Sequence, residues 1–442
     1  MHPRRFVSRS LTIALPLAAI LASPLLHGQT ASPKTAAPIS VVRPEAAGFS
    51  SEALRKLDEG MQGLVDQQHL AGIVTLVARR GQVVQHKAYG VQDVNSRTPM
   101  KLDTIARIYS MTKPITGVAM MMLYEEGKWH PSDPIAKHIP EFANLNVYAG
   151  ENPDGTTRLV PASHAPTMGE LMSHTAGFTY GFFGSTPVDK LYQADNPLGK
   201  PSLKAFIDRM AKLPLLYQPG ERWVYSVSVD IQGYLVEKLS GRPFPEFLRT
   251  RIFEPLGMPD TGFLVPKEQL SRVATIYAWD KAKNALVGQP HDPGISQMPG
   301  LPQGGGGLYS TAADYLRFAQ MLLNRGELGG VRILKPASVE MMRTSVLSDQ
   351  VLQSKSGIGQ ASFSPAQGFG YDFAVVLDPV ALNTPVGKGT YWWWGAAGTW
   401  FWIDPANEVI FIGIIQRRGG VPGAANHETI ARSAVYGALT KR

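Results

Sequence analysis

A serine and a lysine stand three residues apart, Ser110 and Lys113, just before the apolar stretch ITGVAMMMLYEEG. Residues i and i+3 lie on the same face of a helix, so the lysine side chain could reach the serine hydroxyl. Burial against an apolar helix disfavours the charged form of an ammonium, which would let Lys113 act as a base. The positive end of the same helix would stabilise an oxyanion formed during acyl transfer. The pair therefore predicts a nucleophilic serine with a lysine base.

The same two residues also fit a structural interpretation, in which Ser110 caps the helix and Lys113 points into solvent. Roughly one Ser-x-x-Lys pair is expected by chance in a chain of this composition, so the motif alone is weak. Pro114 fits either interpretation, because the first amides of a helix have no helical partner. The other parts of a catalytic site must decide between them.

Two further segments carry what acyl transfer needs, a proton shuttle and an amide for the oxyanion. Tyr225 stands just before a helix that the pattern predicts to begin near Asp230. Asp230 could orient the loop that carries Tyr225, or it could cap that helix. The segment WWWGAAGTW, 392–400, changes from large aromatic residues to small ones before a strand, and a substrate can approach such an edge closely.

Other residues favour structural roles. His174 in SHTAG is predicted to be structural, not a general base. No Gly-Lys-Ser/Thr follows Gly304–Gly307, so this run predicts backbone close to the wall of the site and not a phosphate cradle. His427 has no second histidine nearby, and we predict no metal site. The chain contains no Gly-x-Ser-x-Gly, which argues against an α/β-hydrolase.

Composition excludes several classes of function. The 442-residue chain has no cysteine, which excludes disulfides, thiolate metal sites and a cysteine nucleophile. Its formal charge of +8 is spread without basic blocks, so we predict no nucleic-acid partner. The predicted serine chemistry needs no cofactor, and none is expected.

The N-terminal residues 1–28 predict a signal peptide. Three arginines precede the apolar run Leu11–Leu26, which is too short and too interrupted to predict a membrane span. Residues 29–47, rich in Ala, Pro and Ser, predict a flexible lead-in. We therefore expect a periplasmic or secreted protein with no stable membrane insertion after the leader is cleaved.

The hydrophobic pattern predicts an α+β fold of the α/β-sandwich type. A helix at 50–68, a hairpin at 71–94, a strand pair at 399–418 and a helix at 426–442 are expected at the two ends of the folded chain. They predict one antiparallel sheet flanked by terminal helices, with a mainly helical domain inserted. The inserted helical patterns lie at 116–126, 167–173, 203–213, 230–239 and 312–325.

The predicted folded domain spans 48–442. Residues 48–110 and about 330–442 are expected to form its α/β part, and about 111–330 its mainly helical part. The Ser/Gly/Gln-rich segment 344–370 predicts a long surface loop.

Six collinear segments resemble the serine hydrolases that share the class C β-lactamase and penicillin-binding-protein fold, most closely the family VIII carboxylesterases. The resemblance runs over roughly 45–440. The segments are YSMTKP (109–114), LMSHTAGF (171–178), YQPGERWVYSVSVDIQGYLVEKLSG (217–241), FEPLGMPDTGF (253–263), QGGGGLYSTAADYLRFAQMLLNRGEL (303–328) and WGAAGTWFWIDP (394–405).

The resemblance implies a role for each matching residue. Ser110 would be the acylated nucleophile and Lys113 its activating base. Tyr225 matches the tyrosine that exchanges protons with that lysine and with the leaving group. The oxyanion hole would consist of the backbone amides of Ser110 and Ala396.

Two departures from the β-lactamase motifs bear on the substrate. Where class C enzymes have Tyr-x-Asn, this chain has Tyr225-Ser226-Val227, and where they have Lys-Thr-Gly or Lys-Ser-Gly it has Trp393-Trp394-Gly395. The esterases usually have Trp-Gly-Gly there, so Trp394 is unusual even among them. An indole in place of an ammonium favours neutral, apolar groups over anionic ones.

The sequence thus predicts a serine carboxylesterase that hydrolyses a small neutral ester through an acyl-enzyme. The predicted substrate pocket consists of Trp393, Trp394, Gly395 and Val227, with Trp393 facing the site because side chains alternate along a strand. A β-lactamase or D-Ala-D-Ala carboxypeptidase or amidase is the alternative, with Lys388 as the cation if the strand register is shifted. An acyltransferase and a catalytically silent ligand-binding protein also stay open, as does the oligomeric state.

Overall fold

The computed structural model of the protein describes residues 1–3, 39–354, 357–358 and 361–440. Nearly all of the predicted signal peptide and half of the predicted lead-in lie outside these residues, and both stay predictions. The described α-helices are α1 Ser51–Asp66, α2 Thr112–Glu125, α3 Met168–Met172, α4 Pro187–Ala194, α5 Leu203–Met210, α6 Ser228–Ser240, α7 Phe244–Leu248, α8 Glu254–Leu256, α9 Ala312–Leu323, α10 Pro336–Met342, α11 Asp349–Gln353 and α12 His427–Gly437.

The strands are named in chain order like the helices. They are β1 Gly72–Arg79, β2 Gln82–Asp93, β3 Thr98–Pro99, β4 Ala106–Arg107, β5 Asn146–Glu151, β6 Thr157–Pro161, β7 Ile276–Asp280, β8 Ala285–Gln289, β9 Tyr309–Ser310, β10 Glu327–Leu328, β11 Val331–Arg332, β12 Gly357–Ile358, β13 Ala361–Ser362, β14 Gln367–Phe369, β15 Ala374–Val376, β16 Tyr391–Trp394, β17 Trp400–Asp404, β18 Val409–Ile414 and β19 Arg417–Arg418.

Both ends of the chain build one eight-stranded sheet, in the order β14-β15-β16-β17-β18-β1-β2-β3. Its pairings are antiparallel, and β1 meets β18 with Val74 opposite Ile414. Every residue of β1 and β18 is buried, because helices cover both faces of the sheet and such strands become continuously apolar. The predicted antiparallel sheet from both chain ends is confirmed.

The two terminal helices pack against each other. α1 begins where it does because the side chain of Ser50 accepts a hydrogen bond from the amide of Ala53, which satisfies one of the free donors at the helix start. The buried side chains of α1 recur at helical spacing and form one apolar stripe facing the core. The predicted flanking helices are therefore confirmed.

α2 is the central helix of the remaining chain. Its residues from Thr112 to Leu123 are all buried, as expected of a helix that is apolar on every side. It packs against α6, while α9 packs against β18 and β1. The described residues from 39 onward belong to one compact unit, and the finer division into an α/β part and a helical part stays a prediction.

Three details differ from the sequence predictions. α2 begins at Thr112 and α6 at Ser228, each earlier than the apolar pattern suggested. The prediction of one long surface loop over 344–370 is wrong, because α11 and the edge strand β14 lie within it. Phe363 and Phe369 explain the order there, since both rings are fully buried and anchor the segment to the core.

In the part of the chain that the structure describes, no helix has both the length and the apolar character that crossing a bilayer requires.

Candidate active site

Ser110 lies in a 3₁₀ turn, Tyr109–Met111, directly before α2. Two hydrogen bonds hold this turn in place, one from the amide of Ile108 to the carbonyl of Leu308 and one from the side-chain hydroxyl of Tyr315 to the carbonyl of Met111. Tyr109 has the left-handed φ of +44°, which is uncommon for a residue with a side chain. Ser110 itself is only partly buried, so the hydroxyl stands on a fixed turn within reach of a substrate.

Lys113 is fully buried and faces Ser110. Its Nζ is 3.3 Å from the Oγ of Ser110, 2.9 Å from the hydroxyl of Tyr180 and 2.7 Å from the carbonyl oxygen of Gly305. The interpretation in which Lys113 points into solvent is therefore wrong. The arrangement gives a lysine base in contact with the candidate nucleophile, although the catalytic roles of both residues stay predictions.

Tyr225 is half-buried beside this pair. The Nζ of Lys113 is 4.6 Å from the centre of its ring, and its hydroxyl accepts a hydrogen bond of 3.4 Å from the indole Nε1 of Trp393. Among the described residues, no hydrogen bond joins the hydroxyl of Tyr225 to Lys113 or Ser110. The structure thus brings Tyr225 to the site with its ring, not its hydroxyl, against the Nζ of Lys113.

Tyr180 is the site residue that the sequence analysis missed. Its hydroxyl bonds Lys113 and donates to Asp230 at 3.4 Å, while the other carboxylate oxygen of Asp230 accepts from the amide of Gly305 at 2.9 Å. Burial, and then the charge of Asp230, raise the pKa of Tyr180 well above its usual value, so its phenol stays protonated. In the sequence, the one indication of Tyr180 was its position two residues after the segment LMSHTAGF (171–178), one of the six that resemble the serine hydrolases.

Asp230 orients the site and does not cap α6. Its carboxylate holds both Tyr180 and Gly305, the two groups that bond Lys113, whereas the N-cap position of α6 is Val227. Burial raises the pKa of Asp230, and the nearby charge of Lys113 opposes that effect. Neither sequence interpretation describes these contacts, because the carboxylate bonds Tyr180 and Gly305 and not the loop that carries Tyr225.

The edge beyond β16 lies against the Ser110 turn. A Cβ on Gly395 would lie 2.3 Å from the carbonyl oxygen of Ile108, so only glycine permits this approach. Thr399 reinforces it by donating to the same oxygen at 3.3 Å. Ala396 is exposed, and its amide makes no hydrogen bond to a described backbone carbonyl. Its place fits the predicted oxyanion hole with Ser110, which stays a prediction.

The other predicted pocket residues differ in burial. Trp393 is fully buried with its ring 5.5 Å from that of Tyr225, while Trp394 is half-buried and stacks 5.5 Å from Trp392. Val227 is also buried, and its place in the substrate pocket stays a prediction. Lys388 is exposed and precedes β16, whose pairing of Trp393 with Phe401 shows no shift in register.

His174 has the environment of a structural histidine. Its Nδ1 is 3.1 Å from the Oγ of Ser226, which in turn contacts the Oγ of Ser228 at 2.8 Å. Burial and then the charge of Lys113 lower the pKa of His174 well below its usual value. The imidazole is therefore neutral and serves to hold the segment that carries Tyr225.

No group of three or more histidine and carboxylate side chains in the described chain is arranged to hold a metal ion.

A serine on the turn before a buried helix, contacted by a lysine of the same helix, defines the class of serine hydrolases that work through a Ser-Lys pair. The family model described as Beta-lactamase matches residues 57–436. The chain belongs to this family, and the resemblance seen in the sequence is confirmed.

Two curated relatives and one solved structure illustrate the similarity. Protein Rv1367c of Mycobacterium tuberculosis (strain H37Rv) is 38% identical over 353 residues, which cover 78% of this chain and 86% of that protein. Esterase EstB of Burkholderia gladioli is 29% identical over 401 residues, covering 86% and 94%. The structure of EstCE1, a hydrolase with promiscuous acyltransferase activity, matches with a TM-score of 0.70 at 25% identity, covering 87% and 99%.

Proposed function

We propose that the protein is an exported carboxylesterase that hydrolyses small neutral esters through an acyl-enzyme on Ser110. The observation that carries the proposal is the 3.3 Å contact between Lys113 Nζ and Ser110 Oγ, together with a tryptophan where β-lactamases have the lysine of their third motif. The similarity to Esterase EstB supports it.

In the proposed reaction, the Oγ of Ser110 attacks the ester carbonyl while its proton passes to Lys113. The amides of Ser110 and Ala396 stabilise the oxyanion. Collapse of the tetrahedral intermediate breaks the bond to the alcohol oxygen, which leaves with a proton relayed through Tyr225. Water then adds to the acyl carbonyl as Lys113 takes its proton, the bond from the acyl carbon to the Oγ of Ser110 breaks, and that oxygen takes the proton back from Lys113 as the free acid departs.

The aromatic surroundings favour an uncharged substrate. Tyr225 packs between Trp223, Tyr180 and Trp393, at centroid distances of 5.9, 5.2 and 5.5 Å. Lys113 is the basic group of this cluster, and its Nζ already contacts three oxygen atoms, those of Ser110, Tyr180 and Gly305. Arg107 and Arg418 lie over the ring of Tyr109, at 4.7 and 5.1 Å. The preference for an uncharged substrate therefore applies to the Tyr225 side of Ser110, where an apolar group would bury its surface against rings.

The test uses the protein without its leader and the Ser110→Ala variant, with ethyl butyrate, p-nitrophenyl butyrate and a chromogenic cephalosporin as parallel substrates. Ser163→Ala is a matched control, because Ser163 is an exposed serine far along the chain from the Ser-Lys pair. We expect ester turnover in the control, loss of it in Ser110→Ala, and little lactam opening. Ester turnover by Ser110→Ala would refute the nucleophile. Efficient lactam opening would favour the β-lactamase alternative.

Export is part of the proposal and rests on residues 1–28. The test compares the full chain with one that begins at residue 29, in a Gram-negative host. We expect only the full chain to reach the periplasmic or medium fraction in a shortened form. Equal cytoplasmic retention of both would refute export.

A further inference from the structure

Two neighbouring phenylalanines are exposed at the rim of the candidate active site. Phe182 and Phe183 have 61% and 56% of their surface in solvent. Their rings are 4.4 Å apart, and Phe182 stacks on Tyr180 at 5.0 Å. Phe183 lies 5.8 Å from Tyr225. The pair therefore adjoins the two tyrosines that contact Lys113.

The loop that presents these rings is tightly held. The buried carboxylate of Asp189 accepts hydrogen bonds from Thr179 and Thr186 on either side of the pair. Gln193 donates to the carbonyls of Gly181 and Gly184, which flank the two phenylalanines. These contacts fix the backbone before and after the rings.

The flanking glycines show how closely the loop packs on α4. A Cβ at Gly181 would lie 2.4 Å from the Cβ of Tyr192, and one at Gly184 would lie 2.2 Å from a carboxylate oxygen of Asp189. The exposed rings are thus preorganised and not the tip of a loose loop. Holding apolar rings in water costs free energy, which a bound apolar group would recover.

The rings continue inward as a connected aromatic cluster. From Phe183 it passes to Tyr225, then to Trp393 at 5.5 Å and to Trp394 at 4.5 Å. Aromatic rings attract other rings through offset-stacked and edge-to-face contacts, in addition to the area they bury. No charged group lies between the rim and Tyr225 in the contacts described.

We propose that Phe182 and Phe183, with Tyr225, form a subsite for an aromatic ring of the ester substrate. This inference rests on the proposed function and names its substrate class, namely uncharged esters that carry an aryl or arylalkyl group. The ring could belong to the acyl half or to the alcohol half, and the same stacking would recognise either.

The experiment measures kcat/KM by titration of released acid, with aromatic and aliphatic substrates paired for each half. Ethyl phenylacetate is compared with ethyl butyrate for the acyl half, and benzyl acetate with butyl acetate for the alcohol half. The wild-type protein should prefer the aromatic member of at least one pair. In the double variant Phe182→Ala/Phe183→Ala that preference should fall about tenfold, the effect of about 1.4 kcal/mol of lost stacking and burial.

Two controls keep the test decisive. Phe182→Leu/Phe183→Leu keeps apolar bulk and removes the rings, so the aromatic preference should also fall in it. Val380→Ala changes an exposed apolar side chain at another surface and should keep the wild-type preference. An unchanged preference in the alanine variant, an equal loss for aromatic and aliphatic esters, or a full preference in the leucine variant would each overturn the proposal.

A direct binding measurement separates this inference from the proposed function. The Ser110→Ala protein should bind the aromatic member more tightly in calorimetry in at least one of the two ester pairs, and the added alanine pair should abolish the difference. If Ser110 is not the nucleophile, turnover persists in Ser110→Ala. If only the subsite is wrong, turnover is lost there but the aromatic and aliphatic esters bind equally in both pairs.

Discussion

The Nζ of Lys113 lies closer to the hydroxyl of Tyr180, at 2.9 Å, than to the Oγ of Ser110, at 3.3 Å. Tyr180 therefore shares the lysine with the candidate nucleophile. Because burial and Asp230 keep its phenol protonated, Tyr180 serves to position the Nζ of Lys113, whereas Tyr225 is expected to move the proton.

Phenylalanine at each tyrosine should separate these two roles. Tyr180→Phe removes a hydrogen bond to Lys113 and should lower kcat about tenfold. Tyr225→Phe removes the predicted proton carrier and should lower kcat by roughly 10²–10⁴. Steady-state kinetics with ethyl butyrate measures both. A larger loss in Tyr180→Phe than in Tyr225→Phe would exchange the two assignments.

Asp230 should contribute to stability through the amide of Gly305. Asp230→Ala leaves this buried amide without its acceptor, and we expect the free energy of unfolding in urea to fall by about 1–3 kcal/mol. Asp230→Asn keeps an oxygen that can accept from the Gly305 amide, so its free energy of unfolding should fall by less. Equal losses in the two variants would mean that the hydrogen bond to Gly305 is not the source of the effect.

Gly395 should be required for the approach of the β16 edge to the Ser110 turn. In Gly395→Ala the new methyl would meet the carbonyl of Ile108, push the Ala396 amide away, and lower kcat by roughly 10²–10³, the typical loss of one oxyanion donor. Gly63→Ala is the matched control, since a Cβ there meets nothing within 4 Å. This control variant should keep its activity, and its free energy of unfolding should rise by up to about 1 kcal/mol because alanine has a higher helix propensity than glycine. Normal kcat in Gly395→Ala would contradict the predicted oxyanion hole.

Asp372 should make the stability of the protein depend on pH. It is fully buried, its Oδ2 has no hydrogen-bond partner among the described residues, and its Oδ1 accepts from Gln232 at 3.3 Å. Burial raises the pKa of Asp372 well above its usual value, with smaller opposing effects from Gln232 and the charge of Lys113. The folded protein therefore keeps this proton at pH values where the unfolded chain releases it.

The sign of the effect follows from that difference in proton binding. The contribution of Asp372 to the free energy of unfolding is largest at pH values below about 3.9, the pKa of an aspartate in the unfolded chain. It declines as the pH rises towards the raised pKa of the folded state. Asp372→Asn carries no such proton. Over that range the free energy of unfolding of the variant should therefore rise, relative to that of the wild type, by up to about 1.4 kcal/mol per pH unit. Urea unfolding at pH 5, 6, 7 and 8 measures this, and parallel profiles for the two proteins would refute it.

Local sequence patterns predicted the main framework correctly. The apolar stretch after Lys113 indicated the buried helix, and the β-branched runs at both ends indicated the sheet. The resemblance to the serine hydrolases pointed to Tyr225 and to the edge that carries Gly395, and the structure places both beside the Ser-Lys pair.

Other features could not be predicted because they depend on contacts between distant segments. Lys113 meets Tyr180 across 67 residues and Gly305 across 192, and no local pattern specifies either contact. Phe363 and Phe369 stand in a polar segment whose composition alone suggested a loop. Only the packing of their rings against Trp223 shows why that segment is ordered.

The pairing of β1 with β18 also sets when a newly made chain can acquire its fold. Val74 pairs with Ile414. The pairing of β1 with β18 therefore cannot form until nearly the whole polypeptide has been synthesised. Contacts between such distant residues form slowly, because the intervening loop must be ordered first. Ser110 emerges from the ribosome early, but the edge that carries Gly395 emerges among the last segments. A nascent or prematurely terminated chain thus holds its candidate nucleophile without the surroundings that would activate it.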